Sequence, residues 1–307
     1  MIKQNKNTKK QHWIPQFYLR CFSDAHGGLH AYNSQSDKFY PTNTRDTCSS
    51  NYLYEVPRSQ KHSEDGTRFL QLNRIENQLS RTEHLLAQSY SKLIHSCEHG
   101  KLEGEDFEDG RLSACYLFAC MTERHPLAIE DRRTSAAKIA RDYLESGQLT
   151  TKEAERLKAH GMEGELEGLA EHFAMEAAFS SERKVAQKRV YSELCGKRLV
   201  IVEAPTGIEF VSTSLPLYFV GDQVSEFRFD VAYLPLSGRY ACFFVGERGK
   251  AARHTATYAE VRRCNLNLLT AHSVWDIAYA KSQGSLEVSV RDWRIGKSWL
   301  PQETIHS

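Results

Sequence analysis

Leu72, Glu76, Leu79, Glu83, Leu86, Tyr90, Leu93 and Cys97 follow one another in alternating steps of four and three. That spacing puts all of them on one face of a helix. The stretch from Phe69 to about Glu98 is therefore expected as one long helix with a packed seam. Two seam positions are glutamates. A carboxylate that faces a core needs a cation, a metal or several donors, or it stays neutral. Three readings of Glu76 and Glu83 are open: solvation at an exposed helix end, an ion pair with Arg124 or Arg20, or a catalytic or metal-holding role. Two turns, about 10 Å, separate them, too far to share one metal easily.

The rest of the chain falls into place around this helix. Pro15 suits the first turn of a short helix that puts Leu19 and Phe22 on one face. Leu29–Asn33 and Lys38–Thr42 read as paired strands, and Thr44–Thr67 as irregular. An acidic loop over Lys101–Asp109 leads to a second helix from near Phe107, which Pro126 breaks or kinks. Further helices are expected over Ala128–Glu145, Lys152–Ala159 and Glu163–Leu194. Then the period changes. Arg198–Ala204 and Ile208–Thr213 read as strands joined by Pro205-Thr206-Gly207, and Val231–Leu236 and Arg239–Val245 as a hairpin turning at Ser237-Gly238. A helix over Tyr258–Ala271 and strands over Trp275–Ala280 and Ser285–Val290 follow. The fold class is α+β: an N-terminal α/β element, a helical middle third with one long helix, and a mainly antiparallel C-terminal sheet with one helix. We read residues 1–10 as a flexible basic tail. Residues 11–307 form a single domain, with a helical section over about 69–196 and a sheet section over about 197–292.

Composition narrows the function classes. The chain has 307 residues, 40% of them hydrophobic and 26% charged, which excludes a disordered or fibrous protein. With 40 basic and 39 acidic side chains there is no global basic field, so nucleic-acid binding has to be local. Eight cysteines without a C-x-x-C pair point to a reducing compartment. The polar, lysine-rich start lacks the apolar core of a signal peptide, and no run is long enough for a membrane helix. The expected location is the cytoplasm, with no membrane partner. There is no G-x-S-x-G, no H-E-x-x-H and no dinucleotide-binding glycine fingerprint. Gly246-Glu247-Arg248-Gly249-Lys250 lacks the phosphate-loop spacing.

Gln11-His12-x-x-Pro15-x-x-Tyr18-Leu19-x-x-Phe22 resembles the opening signature of the domain-of-unknown-function family number 4238. Ile75-Glu76 followed by Glu83, then Arg124-x-Pro126, and then Phe210–Pro216 are similar to its later motifs in the same order. Pro235-Leu236-Ser237 and Asn265 match weaker late positions. The family's acidic residue before Asn-Pro stands here as Ser214, with Leu215 in place of Asn. If that acid does chemistry in relatives, this copy is altered. The resemblance implies a fold and a set of residues but no reaction.

Candidate chemistry centres on those residues. His12 can act as base or ligand near neutral pH, or can cap and pack. Arg124 can clamp a phosphate or carboxylate in a bidentate fork, or can pair with Glu76, Glu83 or Glu123. Gln11, Thr213 and Ser214 are candidate substrate-binding groups; hydroxyls such as those of Ser212-Thr213-Ser214 more often make a turn. His12, Glu76, Glu83 and Arg124 gathered in one place would suit phosphodiester hydrolysis, with magnesium or manganese as a possible cofactor. The alternative is a non-catalytic module that binds a nucleic acid or a small anionic, phosphate-bearing ligand. His95-x-Cys97-x-His99 has metal spacing only in an extended chain; on a helix the three are expected to point different ways.

Overall fold

The structure is a computed structural model. It describes residues 9–57, 69–70, 73–147, 149–159, 164–179, 185–221, 229–271 and 275–299. The chain divides into two compact units, each built from discontinuous segments. The first comprises Met1–His12, Ser49–Thr82 and Glu123–Val185, and the second Trp13–Cys48, Glu83–Thr122 and Ala186–Ser307.

In the first unit, β1 (Lys10–His12) pairs antiparallel with β4 (Ser49–Asn51). Lys10 thus belongs to a strand, while residues 1–8 of the expected tail lie outside the described residues. The helices are α4 (Pro126–Glu145), α5 (Thr151–Ala159), α6 (Leu166–Phe179) and the start of α2 (Arg74–His99). Their core holds Tyr54, Ile75, Leu79, Ile129, Met175 and Phe179. His125 caps α4, its Nδ1 accepting from Leu127 N at 3.3 Å, and Pro126 takes the position where a missing N–H is harmless. The break expected at Pro126 is therefore a clean end of α3 (Glu105–Arg124) and a new start.

The second unit holds two sheets. The short helix α1 (Gln16–Arg20) opens it. One sheet orders β3 (Lys38–Asn43), β2 (Gly28–Asn33), β11 (Ile277–Ala280) and β6 (Ser212–Thr213). The other orders β10 (Ala252–Thr255), β5 (Arg198–Glu203), β9 (Tyr240–Val245), β8 (Val231–Pro235) and β7 (Tyr218–Val220). Among the described residues all of its ladders are antiparallel except β10 with β5. Also here are α7 (Val185–Cys195, from Ala186 on), α8 (Tyr258–Ala271) and α9 (Gln283–Trp299). The seam of α2 is real: Leu79, Tyr90, Leu93 and Cys97 are buried, and Leu86, Glu76 and Glu83 are half-buried. Leu72 lies outside the described residues.

Three expectations are corrected. Ser285–Val290 alternates like a strand but lies in α9, so among the described residues the C-terminal section has two helices where one is expected. Leu286, Val290 and Trp293 are spaced for a helix, and all three are buried against Tyr32, Leu269 and Trp275. The strands around Pro205-Thr206-Gly207 do not pair with each other. β5 has a full six-residue register with β9, and β6 joins β11 instead. The acidic run is not all loop, because α3 starts at Glu105, where carboxylates offset the positive helix end.

Gly110 of α3 lies close against Leu93 of α2. A Cβ there would lie 2.5 Å from Leu93 Cβ and 2.7 Å from Leu93 N. The backbone atoms cannot yield, so Gly110→Ala is expected to destabilise the fold by about 1–3 kcal/mol, read as a lower urea midpoint.

Candidate functional site

The first unit contains a buried polar network on the signature residues. Gln11 is fully buried. Its Nε2 donates to Glu55 Oε1 at 2.8 Å, and its Oε1 accepts from Tyr54 N at 2.8 Å. Glu55 Oε1 also accepts from Asn73 N at 3.0 Å. Arg124 closes the network from the end of α3. Its Nη2 donates to the His12 carbonyl at 2.7 Å and its Nε to the Tyr54 hydroxyl at 3.2 Å, while Tyr54 itself donates to the same carbonyl at 2.9 Å. Arg133 donates to the carbonyls of Leu53 and Glu55, each at 2.9 Å. Arg124 is only 3% exposed, so its fork points into the protein.

The structure thus brings Gln11, His12 and Arg124 together and adds Tyr54, Glu55 and Arg133, which sequence reasoning missed in a stretch that looks irregular. Glu76 lies in the first turn of α2, in the same unit, and Glu83 lies two turns on, among the residues of the second unit. Glu123 pairs with Arg132.

Burial pushes the Glu55 carboxyl above the usual glutamate range, against the opposing hydrogen bonds from Gln11 and Asn73 N–H and the charge of Arg133. A carboxyl raised on folding keeps its proton to higher pH than it does in the unfolded chain, so stability falls as pH rises through that window. Gln in its place keeps the acceptor for Gln11 and Asn73 and has no charge to bury. Glu55→Gln is therefore expected to gain stability relative to wild type as pH rises from 4 to 8, measured as urea midpoints across that range.

In the second unit the remaining signature residues hold the fold. Tyr18 is fully buried; its hydroxyl donates to Pro235 O at 2.7 Å and lies 3.2 Å from Ser212 Oγ. Ser212, Thr213 and Ser214 are buried to 0% exposure. Ser212 Oγ donates to the Tyr279 hydroxyl, Thr213 Oγ1 accepts from Leu215 N, and Ser214 Oγ accepts from Asp276 N. Asn265 bridges Val211 N, Glu209 O and Ser289 Oγ.

The second unit also has an open cleft of about 690 Å³. Lys101 follows α2, Arg111 lies on α3, Lys197 precedes β5, and Arg248 and Lys250 sit between β9 and β10. These five cations face two acids, Glu103 and Glu108. Glu108 orders two of the cations. Arg111 meets it bidentately at 2.9 and 2.8 Å, and Arg248 Nη2 reaches it at 2.7 Å. Arg111 in turn holds the Glu108 carboxyl below its usual range. Beside them, hydrogen bonding from Cys115, then from Tyr191, and the charges of Arg111 and Arg248 pull the Cys195 thiol well down. Lys197 pairs with Glu193 at 3.1 Å and sits over the Phe229 ring. No linear motif marks this cleft, because its residues come from distant segments.

A family model for a protein of unknown function, DUF4238, matches residues 10–273. The chain belongs to the DUF4238 family. That match spans both units and includes the buried network and the cleft. No curated protein matches this DUF4238 chain, and no solved structure matches it. Among the described residues no helix is long and apolar enough to cross a membrane.

Proposed function

We propose that this DUF4238 protein is a binding module that holds a phosphate-bearing ligand, a nucleic acid or a small phosphate compound, in the cationic cleft. The observation that carries the reading is the excess of five cationic over two acidic side chains around one open cavity. Exposed Arg248 offers a planar donor group suited to phosphate, and exposed Lys101 and Lys250 add mobile charge, while buried Arg111, bonded to Glu108 and the Cys195 carbonyl, fixes the carboxylate that holds Arg248. In a chain with net charge +1 such a local field is what nucleic-acid or nucleotide binding requires. Hydrolysis at His12, Glu76, Glu83 and Arg124 with magnesium or manganese is the competing reading. The inward bonds of Arg124 favour the binding module over it. We also place the protein in the cytoplasm, a reading supported by eight cysteines none of which forms a disulfide.

The test incubates the purified chain with labelled single- and double-stranded DNA and RNA and with nucleotides, in magnesium, manganese or chelator. Saturable binding without cleavage supports the proposal. Cleavage that His12→Gln abolishes replaces it with the hydrolase reading. Absence of binding to every probe overturns both.

A further inference from the structure

We propose that His95, Glu98 and His99 form a binding site for a divalent transition metal ion of the zinc or nickel type at the C-terminal end of α2. The inference is independent of the cleft reading. The sequence expectation that the 95–97–99 set diverges on a helix holds only for Cys97, which is buried. His95 and His99 are one helical turn apart, and their ring centroids lie 4.0 Å from each other. With Glu98 they offer one ligand atom each, all within 4.8 Å of one another. A tetrahedral ion with bonds of about 2.0–2.1 Å holds its ligands about 3.3 Å apart. Small side-chain rotations close that difference, because all three residues are exposed.

Two further features prepare the site. His99 Nδ1 lies 2.9 Å from the His95 carbonyl oxygen. A carbonyl only accepts, so Nδ1 carries the proton and Nε2 keeps its lone pair for a metal. This is the backbone bond that orients many ligating histidines. The helix end is also fixed. Lys101 N donates to Ser96 O at 2.9 Å and Gly100 N to Cys97 O at 3.3 Å, with Gly100 in the left-handed region at φ 66°. The last turn therefore presents its ligands from a set backbone, and the negative helix end favours a cation there. The order of residues is H-x-x-E-H, which inverted zinc peptidases also place on a helix. Two imidazoles and one carboxylate leave a fourth position open for water or a phosphate oxygen.

The experiment is calorimetric titration of the full chain with Ni²⁺, which imidazole binds well. Wild type is compared with the double variant His95→Gln/His99→Gln, with Glu98→Gln, and with His84→Gln as an exposed histidine elsewhere on α2. Every variant keeps the eight cysteines, so thiol binding contributes equally. Circular dichroism confirms that the exposed substitutions leave the fold intact. The expected result is one site per chain, weakened roughly 100-fold in the double variant, about tenfold in Glu98→Gln and not at all in His84→Gln. Equal affinity of wild type and double variant, equal losses in His84→Gln, or no saturable binding by wild type would overturn the proposal.

Discussion

Arg124→Met is expected to lower the stability of the folded chain by about 2–4 kcal/mol, because charged hydrogen bonds are worth about 1.5–3 kcal/mol each and do not add fully. The arginine is almost fully buried and donates to the His12 carbonyl and the Tyr54 hydroxyl. Tyr54 donates to the same carbonyl, so the loss loosens β1, the turn after β4 and the end of α3 together. Methionine fills much of the volume and replaces neither donor. Arg124→Lys recovers part of the loss at most, since one ammonium cannot copy two donors at the fork's spacing. Urea unfolding measures both variants. A shift within about 0.5 kcal/mol for Arg124→Met is what a surface substitution gives, and it would contradict a fold-holding role.

The second large effect belongs to the cleft. Lys101→Glu/Lys250→Glu is expected to weaken binding of a labelled oligonucleotide or nucleotide by about 100-fold, roughly tenfold or 1.4 kcal/mol for each reversed cation. Both lysines are exposed, so the double variant keeps its melting temperature. For an oligonucleotide each lost phosphate contact also flattens the salt dependence, by about 0.7 in the logarithmic slope for a single strand. Unchanged affinity and slope would place the ligand elsewhere or dismiss it.

Much of the fold is legible in the sequence, and the reasons are local. The α2 seam is visible because its apolar positions keep one period from Leu79 to Cys97. The β8–β9 hairpin is visible because Ser237-Gly238 supplies a turn between two alternating runs; Ser237 N donates to Tyr240 O at 2.9 Å. The region over 285–290 misleads because a short stretch fits both periods, and only Trp293 beyond it decides for a helix. Partners of strands that no hairpin turn joins are not legible. Nothing near Arg198 says that its strand pairs with Tyr240–Val245. The candidate sites divide in the same way. Gln11, His12 and Arg124 stand out as motif residues, yet their partner Glu55 sits in a stretch without periodicity. The cleft cations carry no common spacing, so only folding brings Arg111 and Arg248 to one carboxylate. The His95–His99 pair is legible in principle, since a four-residue step aligns side chains on a helix. Cys97 between them distracts from it.

Hydrogen–deuterium exchange with and without a saturating oligonucleotide or nucleotide tests the central claim most directly, because it locates the ligand without altering the chain. Slowed exchange is expected in peptides covering residues 100–111, 197–199 and 248–251, which include the cleft lining. Protection confined to peptides around Gln11, Tyr54 and Arg124, with the cleft unchanged, would contradict it and return the site to the buried network.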